Sequence, residues 1–334
     1  MFVRLCAGFI AGSSVIMLAL TLGSGGCTTA KKSKAELMKE KLDKNEQAKL
    51  EEAAAEMEVG RGMAGRLLAH YGVNDDEQLL GYVNQVGAYV SGFSDVPDRR
   101  YMFEILDSDS VNAFAAPGGY ILVTRGALRH ATSEAELAHV LGHEVAHVGM
   151  KHMFDALKNM SEEELEKTAK EGEEAATKLP PTMKARKRPQ VTENETASMM
   201  ARYIGGSAAG LNMLQAARAG MSLIMEKGLG AEKEFEADVA GTRYAVRAGY
   251  QPNALMNYLC RIEQKKQKKK GRCRLKKSRK KSGKKKASVM DRTHPSIVDR
   301  VANIKRALHG MGGERIVGAS GIERYRRYTV GLRK

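Results

Sequence analysis

Apolar positions change their period along this chain, and each change marks an element. In Ser133–His152, SEAELAHVLGHEVAHVGMKH, the residues Leu137, Val140, Leu141, Val145 and Val148 recur near the helical repeat with no proline between them. Ser133 can cap the first turn, and Glu136, three residues on, can reach back to close a capping box. Ala231–Gly249 (AEKEFEADVAGTRYAVRAG) predicts a second strong helix. Two more are expected near Val59–Tyr71 and Asp75–Ser91, with Asn74 or Asp75 as a start signal and Gly92 near the stop, and another over His294–Leu308. Elsewhere the period falls to two. Tyr101–Asp107 and Tyr120–Thr124 read as strands, Pro117-Gly118-Gly119 turns the chain before the second, and Val111–Ala116 fits a short edge strand. The pattern predicts an α+β fold, mostly helical, with a small β-sheet beside the Ser133–His152 helix.

Polar stretches interrupt this pattern and divide the chain. At the start, Arg4 precedes an almost wholly apolar or small run from Leu5 to Leu22, and Gly23-Ser24-Gly25-Gly26 leads to Cys27. Such a run ending in cysteine resembles a bacterial lipoprotein signal over residues 1–26, which makes Cys27 a lipidated first residue. The other reading is an uncleaved anchor, because about 18 apolar residues just suffice to cross a bilayer. Residues 27–58 are charged and Ala-rich, as a solvated helical spacer would be. The body is expected over 59–310, with charged insertions near 153–196 and 261–288, and 311–334 as a C-terminal tail. The first insertion, dense in Glu and Lys with Pro180-Pro181 and Pro189, is expected to be exposed and mobile. Ala197–Gly230 turns small and apolar, but its longest uncharged run, Tyr203–Ala217, is too short to span a bilayer. It fits a closely packed or membrane-skimming helix, a movable cover.

Charge then narrows the function classes. Of the net +16, the stretch Arg261–Lys286 supplies +15, with sixteen Lys and Arg against Glu263 alone; the remainder holds 39 bases against 38 acids. The body is therefore close to neutral, which excludes a general nucleic-acid-binding protein. Lys265–Lys286 lacks the interleaved aromatics that stack on bases, so no nucleic acid is expected there. Anionic lipid headgroups suit it better, at up to about 1 kcal/mol per charge near a surface. Cys260 and Cys273 flank this stretch and could close it as a disulfide loop; their spacing is not that of a structural zinc site.

The chemistry lies in His143-Glu144-Val145-Ala146-His147, the HExxH pattern. Histidines four apart stand on one helix face, so both imidazoles can reach one ion, and Glu144 follows the first of them as a candidate general base. His139 lies one turn earlier. His139 and His147 are about 12 Å apart along the axis, whereas ligands of one zinc lie within ~4 Å of each other. Glu144 favours the pair His143/His147, leaving His139 and His152 to packing or to support of the ligands. A third ligand must come from elsewhere. Glu234 and Asp238 share one face of the Ala231–Gly249 helix, but Glu232 and Glu236 form a rival pair, and spacing alone does not choose. The HExxHxxGxxH pattern is excluded, because Met150 and Met153 stand where its Gly and His belong.

HEVAHVGMKH, then EFEAD, then Thr293–Ser296 (THPS) together resemble the HtpX/BepA/CAAX-prenyl-peptidase family of gluzincin zinc metallopeptidases. VNAFAAPGGYILVTRGAL at Val111–Leu128 is similar to the strand segment before that family's catalytic helix. The resemblance covers about Val59–Leu308 outside the charged insertions, and implies a zincin-like fold. It also implies one zinc ion on His143, His147 and Glu234, with Asp238 orienting a ligand histidine. His294 would lie near the metal, as an oxyanion donor or a displaceable fourth ligand. Glu144 and His294 are thus the candidate catalytic residues, and Asn112, Ala113 and Phe114 the candidate substrate strand. The expected activity is zinc-dependent endopeptidase cleavage of misfolded or misassembled envelope proteins. The expected place is the periplasmic side of a bacterial envelope, on the outer membrane rather than the inner, with the Cys27 lipid and the Lys265–Lys286 loop as membrane contacts. The alternative is a non-catalytic, lipid-anchored chaperone or adaptor with its zinc site closed by His294.

Overall fold

A computed structural model describes residues 33–178, 208–223, 227–267, 293–312 and 317–333. It divides into two compact units, Met1–Ala48 and Lys49–Lys334. The expected signal, Cys27, Cys273 and most of the basic stretch lie outside the described residues. Helix α1 (Lys34–Tyr71) begins in the first unit and is longer than the pattern predicted. From Lys34 on, the expected spacer and the expected Val59–Tyr71 helix are one continuous helix. The alanine-rich sequence holds no proline, and pairs such as Glu40–Lys44 (2.9 Å) support its exposed face.

Within the second unit, α1 buries Val59, Met63 and Leu67. A three-stranded sheet follows in the order β1-β3-β2. Strand β1 (Met102–Leu106) runs parallel to β3 (Tyr120–Thr124), with Met102 opposite Tyr120 and Leu106 opposite Thr124. Strand β2 (Ala113–Ala116) runs antiparallel to β3, with Ala113 opposite Val123 and Ala116 opposite Tyr120. The two-residue period explains why β3 is central. Ile121 and Val123 enter one apolar cluster while Leu122, between them, enters the other, so both faces of the strand are buried. The outer edge of β1 is bridged by Val73 to Leu106. No strand pairs with the outer edge of β2 among the described residues.

The remaining helices enclose this sheet. Helix α2 (Glu77–Ser91) is capped by Asp76, whose carboxylate accepts from the Leu79 amide at 2.9 Å, one or two residues later than the predicted start. Short α3 (Arg125–His130) leads to α4 (Glu134–Gly149), the HExxH helix, whose residues are all buried except Val140 and Gly149. A helix buried on nearly every side sits in the middle of a core, and α4 packs against α2, β2, α8 (Ala231–Arg247) and α9 (Ala254–Gln267). The Ser133 hydroxyl accepts from the Glu136 amide at 3.3 Å as predicted. The Glu136 carboxylate reaches one residue beyond the expected box, to the Thr132 amide at 2.7 Å, and also holds Arg261.

The described part of the first expected insertion is helical and, over much of 161–170, exposed as expected: α5 (His152–Lys158) and α6 (Glu162–Lys178), the latter packed against α7 (Ala208–Ser222). Helix α10 (Ile297–Gly310) packs on α8. The expected tail contains α11 (Ile322–Thr329), which folds back on the start of α4. There Arg324 pairs with the buried Glu134 carboxylate, which also accepts from the Tyr82 and Tyr250 hydroxyls at 2.8 and 2.9 Å. Cys260 is disulfide-bonded.

Candidate active site

Two helices must approach closely for α4 and α8 to share a site, and two glycines permit it. A Cβ on Gly142 would stand 2.9 Å from the Gly241 carbonyl oxygen, and one on Gly241 would stand 2.5 Å from the His143 amide. Any larger residue would drive the helices apart. The close crossing sets Glu234 and Asp238 of α8 directly over the histidines of α4.

Three donors converge there. His143 Nε2 and His147 Nε2 are 3.2 Å apart; Glu234 Oε2 is 3.6 Å from the first and Glu234 Oε1 3.5 Å from the second. Tetrahedral ligands held 2.0–2.2 Å from one zinc ion are separated by about 3.3–3.6 Å. Two imidazoles and a carboxylate at this spacing fit a divalent zinc in both chemistry and size. His294 stands beside them, its Nδ1 donating to Glu234 Oε2. His143, Glu234 and His294 also offer one donor atom each within 4.8 Å of one another, a looser grouping.

Each α4 histidine is held from behind. The His143 Nδ1 lies 3.1 Å from Asp238 Oδ1, and Arg300 of α10 clamps that carboxylate with Nε at 2.9 Å and Nη2 at 2.6 Å. Both Asp238 and Arg300 are buried. His147 Nδ1 instead faces His152 Nδ1 at 3.0 Å, and His152 Nε2 is 3.1 Å from Glu236 Oε2. His139 turns away: its Nε2 bonds the Gln251 carbonyl at 3.0 Å. Glu232 is exposed, so only one of the rival acids, Glu236, touches this group, and it does so through His152.

Electrostatics follow from these neighbours. Burial and Arg300 pull His143 down, but the Asp238 and Glu234 carboxylates prevail and raise it to about 9. Burial dominates at His147 and lowers it well below the ordinary imidazole range. Burial also lowers His152, helped by Lys233. Glu234 is lowered well below a normal carboxyl, the surrounding histidines outweighing its burial. Burial raises Glu144, which fits a carboxylate that must take up and release a proton.

The site opens into a cleft lined by Asn112, Ala113, Phe114 and Ala115 and by Leu223, Gly228 and Leu229. Glu144, His147, Glu234 and His294 line the same cleft. The predicted substrate strand therefore lines the same cleft as His147 and Glu234, and it carries the sheet edge that has no strand partner among the described residues. Sequence reading missed Arg300, the His152–Glu236 contact and the Gly142/Gly241 crossing. A glycine in mid-helix was the available signal for the crossing.

The sequence profile of peptidase family M48 matches residues 77–308. A putative beta-barrel assembly-enhancing protease of Vibrio cholerae serotype O1 is 30% identical over 191 residues, 57% of this chain and 34% of that protein. The beta-barrel assembly-enhancing protease of Escherichia coli (strain K12) is 26% identical over 207 residues, 61% of this chain and 37% of that protein. The mitochondrial metalloendopeptidase OMA1 of Arabidopsis thaliana is 42% identical over 53 residues, 16% of this chain and 11% of that protein. The matched segment thus spans little more than a third of the two bacterial relatives.

Proposed function

The chain belongs to peptidase family M48, and from that premise we propose that it is a zinc-dependent endopeptidase acting on misfolded or misassembled proteins of the bacterial envelope. The observation that carries the reading is the convergence of His143, His147 and Glu234 at 3.2–3.6 Å, in a cleft lined also by the buried Glu144 and by β2, whose outer edge has no strand partner among the described residues. The three donors would hold the ion. When bound, zinc supplies Lewis acidity, polarising the scissile carbonyl and making water a better nucleophile at neutral pH. An extended peptide would pair along Asn112–Phe114 at the edge of β2 that has no strand partner among the described residues, displacing the Asn112 Oδ1 that now accepts from the Ala113 amide at 3.0 Å. Glu144 would take the proton of the attacking water and return it to the leaving amine. His294 would donate to the oxyanion or serve as a displaceable fourth ligand. Asp238 would fix His143 as its Nδ1–H tautomer.

The relatives' names, with their reference to β-barrel assembly, support substrates among β-barrel envelope proteins. Attachment through Cys27 and contact of Lys265–Lys286 with anionic lipid remain part of the proposal, and both lie wholly or largely outside the described residues. No described helix is long and apolar enough to cross a membrane. The non-catalytic adaptor is not favoured, since Glu144 is present and lines the cleft. The deciding experiment is casein degradation by the wild type and by Glu144→Gln, with zinc content measured for both. Zinc retained and cleavage abolished in the variant is the expected pair of results; cleavage at the wild-type rate would refute the mechanism.

A further inference from the structure

We propose that His152 and Glu236 form a proton-ordered relay that fixes the tautomer and ring orientation of His147, making His152 a positioning residue for the metal site. This rests on the zinc-ligand reading above. If His147 Nε2 faces the ion, its remaining proton must sit on Nδ1. Among the described residues that N–H has one partner, His152 Nδ1 at 3.0 Å, which can accept only if it carries no proton itself. His152 must then bear its proton on Nε2, where Glu236 Oε2 lies 3.1 Å away as acceptor. One choice of tautomer at His147 thus determines every proton as far as the carboxylate.

The chain is bent to make this contact. Met150 ends α4 and Lys151 adopts a left-handed conformation (φ 54°, ψ 26°) before α5 restarts at His152. It is the only non-glycine residue with positive φ among those described, a conformation costing about 1–3 kcal/mol. Its ammonium is held by Glu52 at 2.8 Å and Glu56 at 3.5 Å of α1. Glu56 is itself buried, accepting from Arg99 and from the Gly118 amide at 3.1 Å. A continued α4 would carry residue 152 past His147; the turn returns its ring to within 5.0 Å, edge to face. The strain is thus spent on the segment that aims one imidazole at another.

The test is zinc affinity, measured by competition with a chromophoric chelator on wild type, His152→Phe and His152→Asn, with the metal-free melting point of each recorded. His152→Phe keeps a flat ring but no acceptor, and should weaken zinc binding by about 10–100-fold. His152→Asn places an amide oxygen where Nδ1 stood and should recover most of that loss. Equal affinity in the Phe variant and wild type, or no difference between Phe and Asn, overturns the relay. Should either variant melt early, long-range nitrogen–proton NMR of the zinc-loaded wild type decides instead. His147 Nδ1 must be protonated and His152 Nδ1 must not; the reverse overturns the inference. A wild type that takes up no zinc would instead defeat the reading beneath it, so the two failures are distinct.

Discussion

His143 and His147 lie one turn apart on α4, both buried and both facing Glu234, yet the supports behind them differ in kind. Behind His143 is a carboxylate clamped by a guanidinium, Asp238 and Arg300, with no access to water. Behind His147 is a second imidazole, and the carboxylate beyond it, Glu236, is 42% exposed and shared with Lys233. A buried ion pair resists loss of either member, because the survivor keeps its charge without its solvent. An exposed carboxylate has water as a substitute. The comparison therefore separates a support built into the stability of the core from one that acts on ligand geometry at small cost to the fold.

The largest effect is expected on the His143 side. Asp238→Ala should lower unfolding free energy by about 3–5 kcal/mol, because Arg300 would remain buried and unpaired. Urea titration of the metal-free protein would show it, whereas His152→Phe should change stability far less. A third histidine on the same helix calibrates the scale. His139 has no acid beside it, and burial lowers it to about 4, only partly opposed by its bond to the Gln251 carbonyl. The unfolded chain takes up this proton first, so the contribution is complete above about pH 6.5 and is lost as pH falls toward 4, by about 3 kcal/mol. The slope of stability against pH in that window should flatten by up to one proton in His139→Leu.

These contrasts also show what the sequence could and could not disclose. Ser133, the HExxH spacing and the run of apolar residues made α4 legible, because caps and periodicity act over a few residues. The edge strand near Asn112 was visible for the same reason. Arg300 was not, since it lies 62 residues from Asp238 and reads like any helical arginine. His152 was left between packing and support, because the left-handed turn at Lys151 that aims it depends on Glu52 and Glu56, about a hundred residues earlier. The C-terminal stretch looked like a tail because Arg324 finds its partner, Glu134, 190 residues upstream. Acid choice on α8 was open by spacing; in space the glycine crossing brings Glu234 to 3.6 Å from His143 and 3.5 Å from His147.

That crossing supplies the next prediction. Gly241→Ala must push α8 from α4, costing about 1–3 kcal/mol of stability by overpacking and weakening zinc binding along with it; thermal unfolding and chelator competition read the two. The smallest effect belongs to Glu236. Replacing this exposed acid by alanine should alter zinc affinity by at most about fivefold, since water can accept from His152 Nε2. A loss as large as that of His152→Phe would mean that the carboxylate, not the imidazole, orients His147.

Diffraction from zinc-loaded crystals on either side of the zinc absorption edge goes directly to the heart of the matter. One anomalous peak should appear about 2.0–2.2 Å from His143 Nε2, His147 Nε2 and a Glu234 oxygen. A peak bound elsewhere, or no peak between these side chains in zinc-saturated protein, would contradict the assignment of this cleft as a zinc peptidase site.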